Sequence, residues 1–225
     1  MKHIISDLSG TIAHIKLDEQ LIESVGTIGP KYLETVLTSP TQTEVKAQAM
    51  RVVGVTGFYL GDALARDLEK VAREGEPTQD QLNLIFLIAE EACRQGRVQA
   101  KIFPDVVPAV QKWNEYNIPV SVYSNASMRL QQVALQKTNL GNITNLFDLY
   151  IDPTVVGSKK EAESYHKMSR MLGTDSSELL FLSDSQKEVH AAAEAGYHVR
   201  LVKRPGNPPI TTTYPTVNSF SEVEW

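Results

Sequence analysis

Five short apolar runs, rich in β-branched residues, constrain this chain most: HIIS (3–6), IPVSVY (118–123), LYI (149–151), LLFL (179–182) and HVRLV (198–202). Runs this short, bounded by polar and turn residues, read as strands buried on both faces. From the second onward, helical patterns separate them. Asp105 is placed to cap a helix through VPAVQKW, and Ser127 one through MRLQQVALQK. KEAESYHKMSRML lies between the third and fourth runs, and KEVHAAAEAG between the fourth and fifth. Strand and helix alternating in this way predicts an α/β fold, a Rossmann-like parallel sheet with helices on both faces.

The first gap breaks that rhythm. Everything between Thr11 and Lys101 reads as helical, which is far too long for a crossover connection. Leu64, Leu68 and Val71 fall at i, i+4 and i+7, one face of an amphipathic helix. Thr78 and Gln81 form the pattern of a capping box ahead of QLNLIFLIAEEACRQ, which Gly96 would end. The expectation is an inserted helical subdomain over 16–100, with the α/β core built from 1–15 and 101–225. The tail from Pro205, rich in Pro and Thr, is expected to wrap the surface.

Charge and composition narrow the function classes. A net charge of −5 argues against binding nucleic acid, which needs a basic surface. Cys93 is the only cysteine, so an intrachain disulfide or thiolate zinc site is excluded, and it reads as a small buried apolar residue. No apolar run approaches the roughly 18–20 residues of a membrane span. The first run stops at Ser6 and Asp7, so it does not read as a signal peptide. A cytoplasmic monomer with no membrane partner is the expectation.

Polar residues stand where the runs end: Asp7 after the first, Ser124 after the second, and Asp184 after the fourth. An acid after a strand is commonly a turn former or helix cap. Three such residues from distant segments, however, would meet at the carboxyl edge of an open sheet, where ligands bind. Phosphoryl transfer to a carboxylate fits them. Asp7 would attack phosphorus and form an aspartyl phosphate, dividing one hard displacement into two. A carboxylate facing a phosphate dianion needs its charge offset, and Mg²⁺, which prefers hard oxygen ligands, suits the task. Asp7 and Asp184 would supply carboxylate oxygens, with Glu188, one helical turn on, as direct or water-mediated support. Ser124 and the N–H groups after it suit phosphate oxygens. Lys159 in VVGSKKEAESY, freed by Gly157 to approach closely, is the candidate fixed cation, with Lys160 beside it as a competitor.

These residues resemble the four signature motifs of the haloacid dehalogenase superfamily of aspartate-nucleophile phosphatases. Asp7-Leu-Ser-Gly-Thr11 is similar to the first, Val122-Tyr-Ser124 to the second, Lys159 to the third, and Leu182-Ser-Asp184 with Glu188 to the fourth. Within the superfamily, FPDVVPAVQKW, VYSNAS, FDLYID, GSKKEAESY, LFLSD and RPGN are similar to the enolase-phosphatase family of methionine salvage, the acireductone synthases. The resemblance implies a Mg²⁺-dependent enzyme acting on a small phosphorylated metabolite. That family enolises and then dephosphorylates a diketo-methylthiopentyl phosphate. Carried over, Asp7 is nucleophile and metal ligand, and Ser9 offers its backbone carbonyl to the metal. Ser124 and Asn125 touch the phosphate, Lys159 clamps charge, and Asp184 is the second metal carboxylate.

The departures are specific. The family motif reads D-I-E-G-T, and its third residue protonates the leaving oxygen and later activates water. Here Ser9 stands in that place, and a hydroxyl does no general acid–base work near neutral pH. Such catalysis is worth roughly 10²–10⁴-fold. Asn125-Ala126 replaces the family's Ser-Gly, and Ile88 to Gly96 lacks the family's aromatic and glycine-bearing cap segment. His14 is the candidate stand-in for the missing acid; His166, His190 and His198 have no paired ligand spacing. Two alternatives follow: a binding or regulatory protein on a phosphatase scaffold, and a transferase or phosphonatase-like enzyme. The latter would use a lysine of the insertion, where no motif singles out Lys31, Lys46 or Lys70.

Overall fold

The computed structural model describes residues 1–53 and 61–224. The chain divides into two compact units, Met1–Leu17 with Ala100–Trp225, and Asp18–Gln99. The first unit holds a six-stranded sheet in the order β3-β2-β1-β4-β5-β6. Its strands are β1 (His3–Ser6), β2 (Val120–Tyr123), β3 (Tyr150–Ile151), β4 (Leu179–Ser183), β5 (His198–Val202) and β6 (Thr216–Val217). Every pairing is parallel. Central β1, β2 and β4 are buried at every position, as continuous apolar runs covered on both faces require. The sheet lies where the five runs predict it.

The sixth strand is a departure from the sequence reading. Instead of only wrapping the surface, the tail returns to pair Thr216 with Leu201 and Val217 with Val202. Two residues directly after Pro215 are too short to show any period.

The second unit is helical among its described residues: α1 (Lys16–Thr38, whose first two residues belong to the sheet unit), α2 (Thr43–Val53), α3 (Gly61–Glu74) and α4 (Gln79–Arg94). Leu64 and Leu68 of α3 pack with Val25 and Leu33 of α1 and Leu84 and Ile88 of α4 in one apolar cluster. The capping box ahead of α4 is formed: Gln81 N–H donates to Thr78 Oγ1, and Thr78 N–H donates to Gln81 Oε1 at 2.8 Å. Gly96, at φ +69, follows its C-terminus, and Cys93 is buried. Among the described residues no helix is long and apolar enough to cross a membrane.

The sheet unit continues with α5 (Val106–Glu115), α6 (Met128–Gln136), α7 (Pro153–Val156), α8 (Ala162–Leu172) and α9 (Gln186–Glu194). Ser127 caps α6 by accepting from Leu130 N–H at 3.2 Å. Asp105 does not do the same for α5, contrary to the sequence reading, since its carboxylate makes no capping bond. It accepts instead from Arg204, from Ser219 Oγ and from Phe220 N–H at 2.7 Å. A charged partner and two further donors win over a helix N–H.

Candidate active site

The turn that follows β1 is tied down almost atom by atom. Asp7 N–H donates to Leu182 O at 2.8 Å, extending the β1–β4 ladder one residue beyond the strand. Gly10 sits at φ +78, and a Cβ there would overlap the carboxylate of Asp184, so only glycine fits. Thr11 Oγ1 donates to Asp7 Oδ2 at 3.3 Å and accepts from Asp184 N–H at 3.0 Å, bridging the two acids. Sequence reasoning gave Thr11 no role, although it closes the quoted DLSGT motif.

The carbonyls of this turn are nearly all occupied. Those of Leu8, Ile12 and Ala13 accept backbone N–H groups, and that of Asp7 accepts Ser6 Oγ. Gly10 and Thr11 accept from Asn207 Nδ2 and Arg204 Nε. Among the described residues, the Ser9 carbonyl alone in the run from Asp7 to Ala13 is left without a donor. The Ser9 hydroxyl donates to Ile15 O at 3.3 Å.

Lys159 reaches the same place from the loop between α7 and α8. Gly157, at φ +111, would put a Cβ 2.6 Å from Ser164 Oγ, and its carbonyl accepts from Tyr123 OH at 2.6 Å. Tyr165 OH donates to Lys159 O at 2.8 Å, which fixes the backbone under the side chain. Lys159 is only 3% exposed, whereas Lys160 is at the surface. Its Nζ pairs with Asp7 Oδ1 and lies 2.9 Å from Glu188 Oε2. Glu188 Oε2 also accepts from Ser183 Oγ at 2.8 Å.

Two carboxylates, Asp7 and Glu188, therefore flank one ammonium, and Asp184 stands on the other side of Thr11. Burial works to lower the Lys159 pKa, but the charges of Asp7 and Glu188 outweigh it and hold the group above the usual lysine range. Burial, then the Asp7 charge, raises the Glu188 carboxyl. Asp184 is pushed up to about 7 by burial and then by the charges of Asp7 and Glu188, with Lys159 opposing. The cluster carries surplus negative charge, a setting that favours a divalent cation.

The remaining candidates are placed as follows. Ser124 follows β2, beside β1, with its N–H donating to Ile151 O at 3.1 Å and its Oγ accepting from Ala126 N–H at 3.3 Å. Asn125 is exposed. His14 stacks on Phe103 with ring centroids 6.0 Å apart, and its Nδ1 accepts from Lys16 N–H at 3.2 Å. Its Nε2 lies 3.0 Å from where a Cβ on Gly206 would stand. Those neighbours belong to the wall of the turn, not to the Asp7 carboxylate.

Residues fit for Mg²⁺ are present in a particular form. No three His, Cys, Asp or Glu side chains among the described residues are gathered into a closed cation cage. Asp7 Oδ2, the Asp184 carboxylate and the free Ser9 carbonyl are instead hard oxygens around one turn. Mg²⁺ commonly takes one or two carboxylates and fills its octahedron with water and substrate phosphate, so an incomplete set suits it.

Residues 1–196 match the model of the haloacid dehalogenase-like hydrolases, and the chain belongs to that family. A relative from Aquifex aeolicus, Enolase-phosphatase E1, is 30% identical over 227 residues, covering 100% of this chain and 99% of its own. Enolase-phosphatase E1 of Sulfurihydrogenibium sp. is 29% identical over 228 residues, covering 100% and 98%. Among solved structures, the Saccharomyces cerevisiae UTR4 protein superposes with a TM-score of 0.79 at 21% identity, covering 99% of each chain. CbbY from Rhodobacter sphaeroides, solved in complex with phosphate, gives 0.64 at 16% identity, covering 99% and 96%. These structural likenesses share the α/β fold.

Proposed function

We propose that this hydrolase is a Mg²⁺-dependent phosphatase of small phosphorylated metabolites, acting on a diketo-methylthiopentyl phosphate in methionine salvage. The observation that carries the reading is the Asp7 carboxylate held between Lys159 and Thr11, with Asp184 fixed beside it. The enolase-phosphatase relatives matched over their whole length support the substrate class.

Asp7 attacks phosphorus, the P–O bond to the leaving oxygen breaks, and an aspartyl phosphate forms. Water then attacks phosphorus, releasing inorganic phosphate and restoring the carboxylate. Lys159 orients Asp7 and places positive charge where phosphoryl charge concentrates. Ser124 and the N–H groups entering α6 receive phosphate oxygens, with Asn125 at the outer edge. Asp7, Asp184 and the Ser9 carbonyl would hold Mg²⁺, which supplies charge neutralisation for the phosphate; Glu188 supports the set through Lys159. Release of inorganic phosphate from the diketo phosphate and from p-nitrophenyl phosphate, with and without Mg²⁺, tests this. Activity that depends on Mg²⁺ and vanishes in Asp7→Asn is expected; none above that control on either substrate overturns it.

A second reading is favoured by the Ser9 hydroxyl, which donates to Ile15 O and has no acid–base capacity. On it, the scaffold binds phosphate esters and turns them over slowly or not at all, in a binding or regulatory role. Tight vanadate binding without hydrolysis distinguishes that outcome.

A further inference from the structure

The segment Arg204-Pro-Gly-Asn207 has no part in the chemistry above, yet it is built against the nucleophile's turn. Asn207 N–H donates to Arg204 O at 3.1 Å, with Pro205 and then Gly206 at φ +94 between them. That is the pattern of a type II turn, with proline at its second position and glycine at its third. The turn sets two side chains against two successive carbonyls: Arg204 Nε to Thr11 O at 3.0 Å, and Asn207 Nδ2 to Gly10 O at 2.8 Å. A carbonyl only accepts, so the amide nitrogen of Asn207 must face Gly10.

Arg204 is itself anchored. Its Nη1 lies 2.9 Å from both carboxylate oxygens of Asp105 and 3.1 Å from Asn218 O. Its guanidinium packs against the rings of Phe103 and Phe220, at 4.5 and 4.9 Å from their centroids. Asn207 and Asp184 line one cavity of about 220 Å³, so the arm reaches the edge of the acidic cluster.

We propose that Arg204 and Asn207 are positioning residues for the cation-binding turn. By occupying the carbonyls of Gly10 and Thr11, they fix the turn in the form that leaves the Ser9 carbonyl free and holds Thr11 Oγ1 between Asp7 and Asp184. The proposal rests on the Mg²⁺ reading of the site. Outer-shell partners of metal ligands typically contribute about 10–100-fold in metal affinity, and a loss in that range is expected for Asn207→Ala.

Mg²⁺ binding by calorimetry on the folded protein is the readout, because a loss of stability alone does not shift it. A threefold or greater weakening in Asn207→Ala relative to the parent supports the proposal, and a smaller change overturns it. Arg204→Lys keeps the charge facing Asp105 but lacks a planar donor placed for Thr11, and it is held to the same threshold if Asn207→Ala does not fold. A parent protein that binds no Mg²⁺ overturns both the arm and the metal reading. A parent that binds it while the variant matches it overturns the arm alone.

Discussion

Ser9 is the residue at which the proposed turnover is most directly tested. Its hydroxyl is bonded to Ile15 O, while its carbonyl is the free oxygen of the turn, so backbone and side chain have separable roles. Ser9→Glu is expected to raise kcat on the diketo phosphate by about 10²–10⁴-fold, with Mg²⁺ affinity little changed, measured by phosphate release and calorimetry. An unaltered kcat would mean that another group already supplies the proton. Gly10→Ala should do the opposite: φ +78 strains any side chain and the added carbon meets Asp184, so both metal binding and activity are expected to fall together. The strand-end positions of Asp7, Ser124 and Asp184 were legible because Asp7 and Ser124 follow an apolar run directly and Asp184 follows one after Ser183. That Glu188 bonds Lys159 was not legible, since spacing along a helix gives distance from Asp184 but not the partner arriving from another loop.

At the level of elements, β1 is joined to β2 by a buried side-chain pair, His3 Nε2 with Ser121 Oγ at 2.7 Å. Burial lowers the His3 pKa, with the Asp148 charge opposing. The folded protein therefore binds fewer protons than the unfolded chain once pH falls below the unfolded value of about 6.5. Stability contributed by neutral His3 is present above that pH and is lost as pH drops toward the lowered folded value. Denaturant midpoints compared at pH 7.5 and 5.5 should fall more in the parent than in His3→Gln. In the helical unit, Thr78→Ala removes the acceptor for Gln81 N–H and is expected to cost about 1 kcal/mol, read from denaturant unfolding. The α4 cap was readable because both of its partners lie within one turn of sequence. Asp105 was misread because its partners stand near the other end of the chain, at Arg204, Ser219 and Phe220, where no local pattern points back. Short, continuous apolar runs made the first five strands readable, while the two residues of β6 carry no period.

For the whole molecule, a cation that binds only the folded state stabilises it by mass action, about 2.7 kcal/mol at a hundred times its dissociation constant. Mg²⁺ is expected to raise the melting temperature of the parent, and the rise should disappear in Asp184→Asn; an equal rise in both would place the cation elsewhere. The strand order carries one more consequence. β1 leads into Asp7, the proposed nucleophile, and sits mid-sheet between β2 and β4, whose partners to Ile4 are Val120 and Leu180. During synthesis, at about 5–20 residues per second, β1 leaves the ribosome many seconds before either neighbour exists to cover it. Gly10 and Thr11 wait longer still for Asn207 and Arg204. The turn after β1 is thus translated well before the segments that lock it, and a nascent chain stopped before the Arg-Pro-Gly-Asn turn would carry every acid of the proposed site without the brace that shapes it.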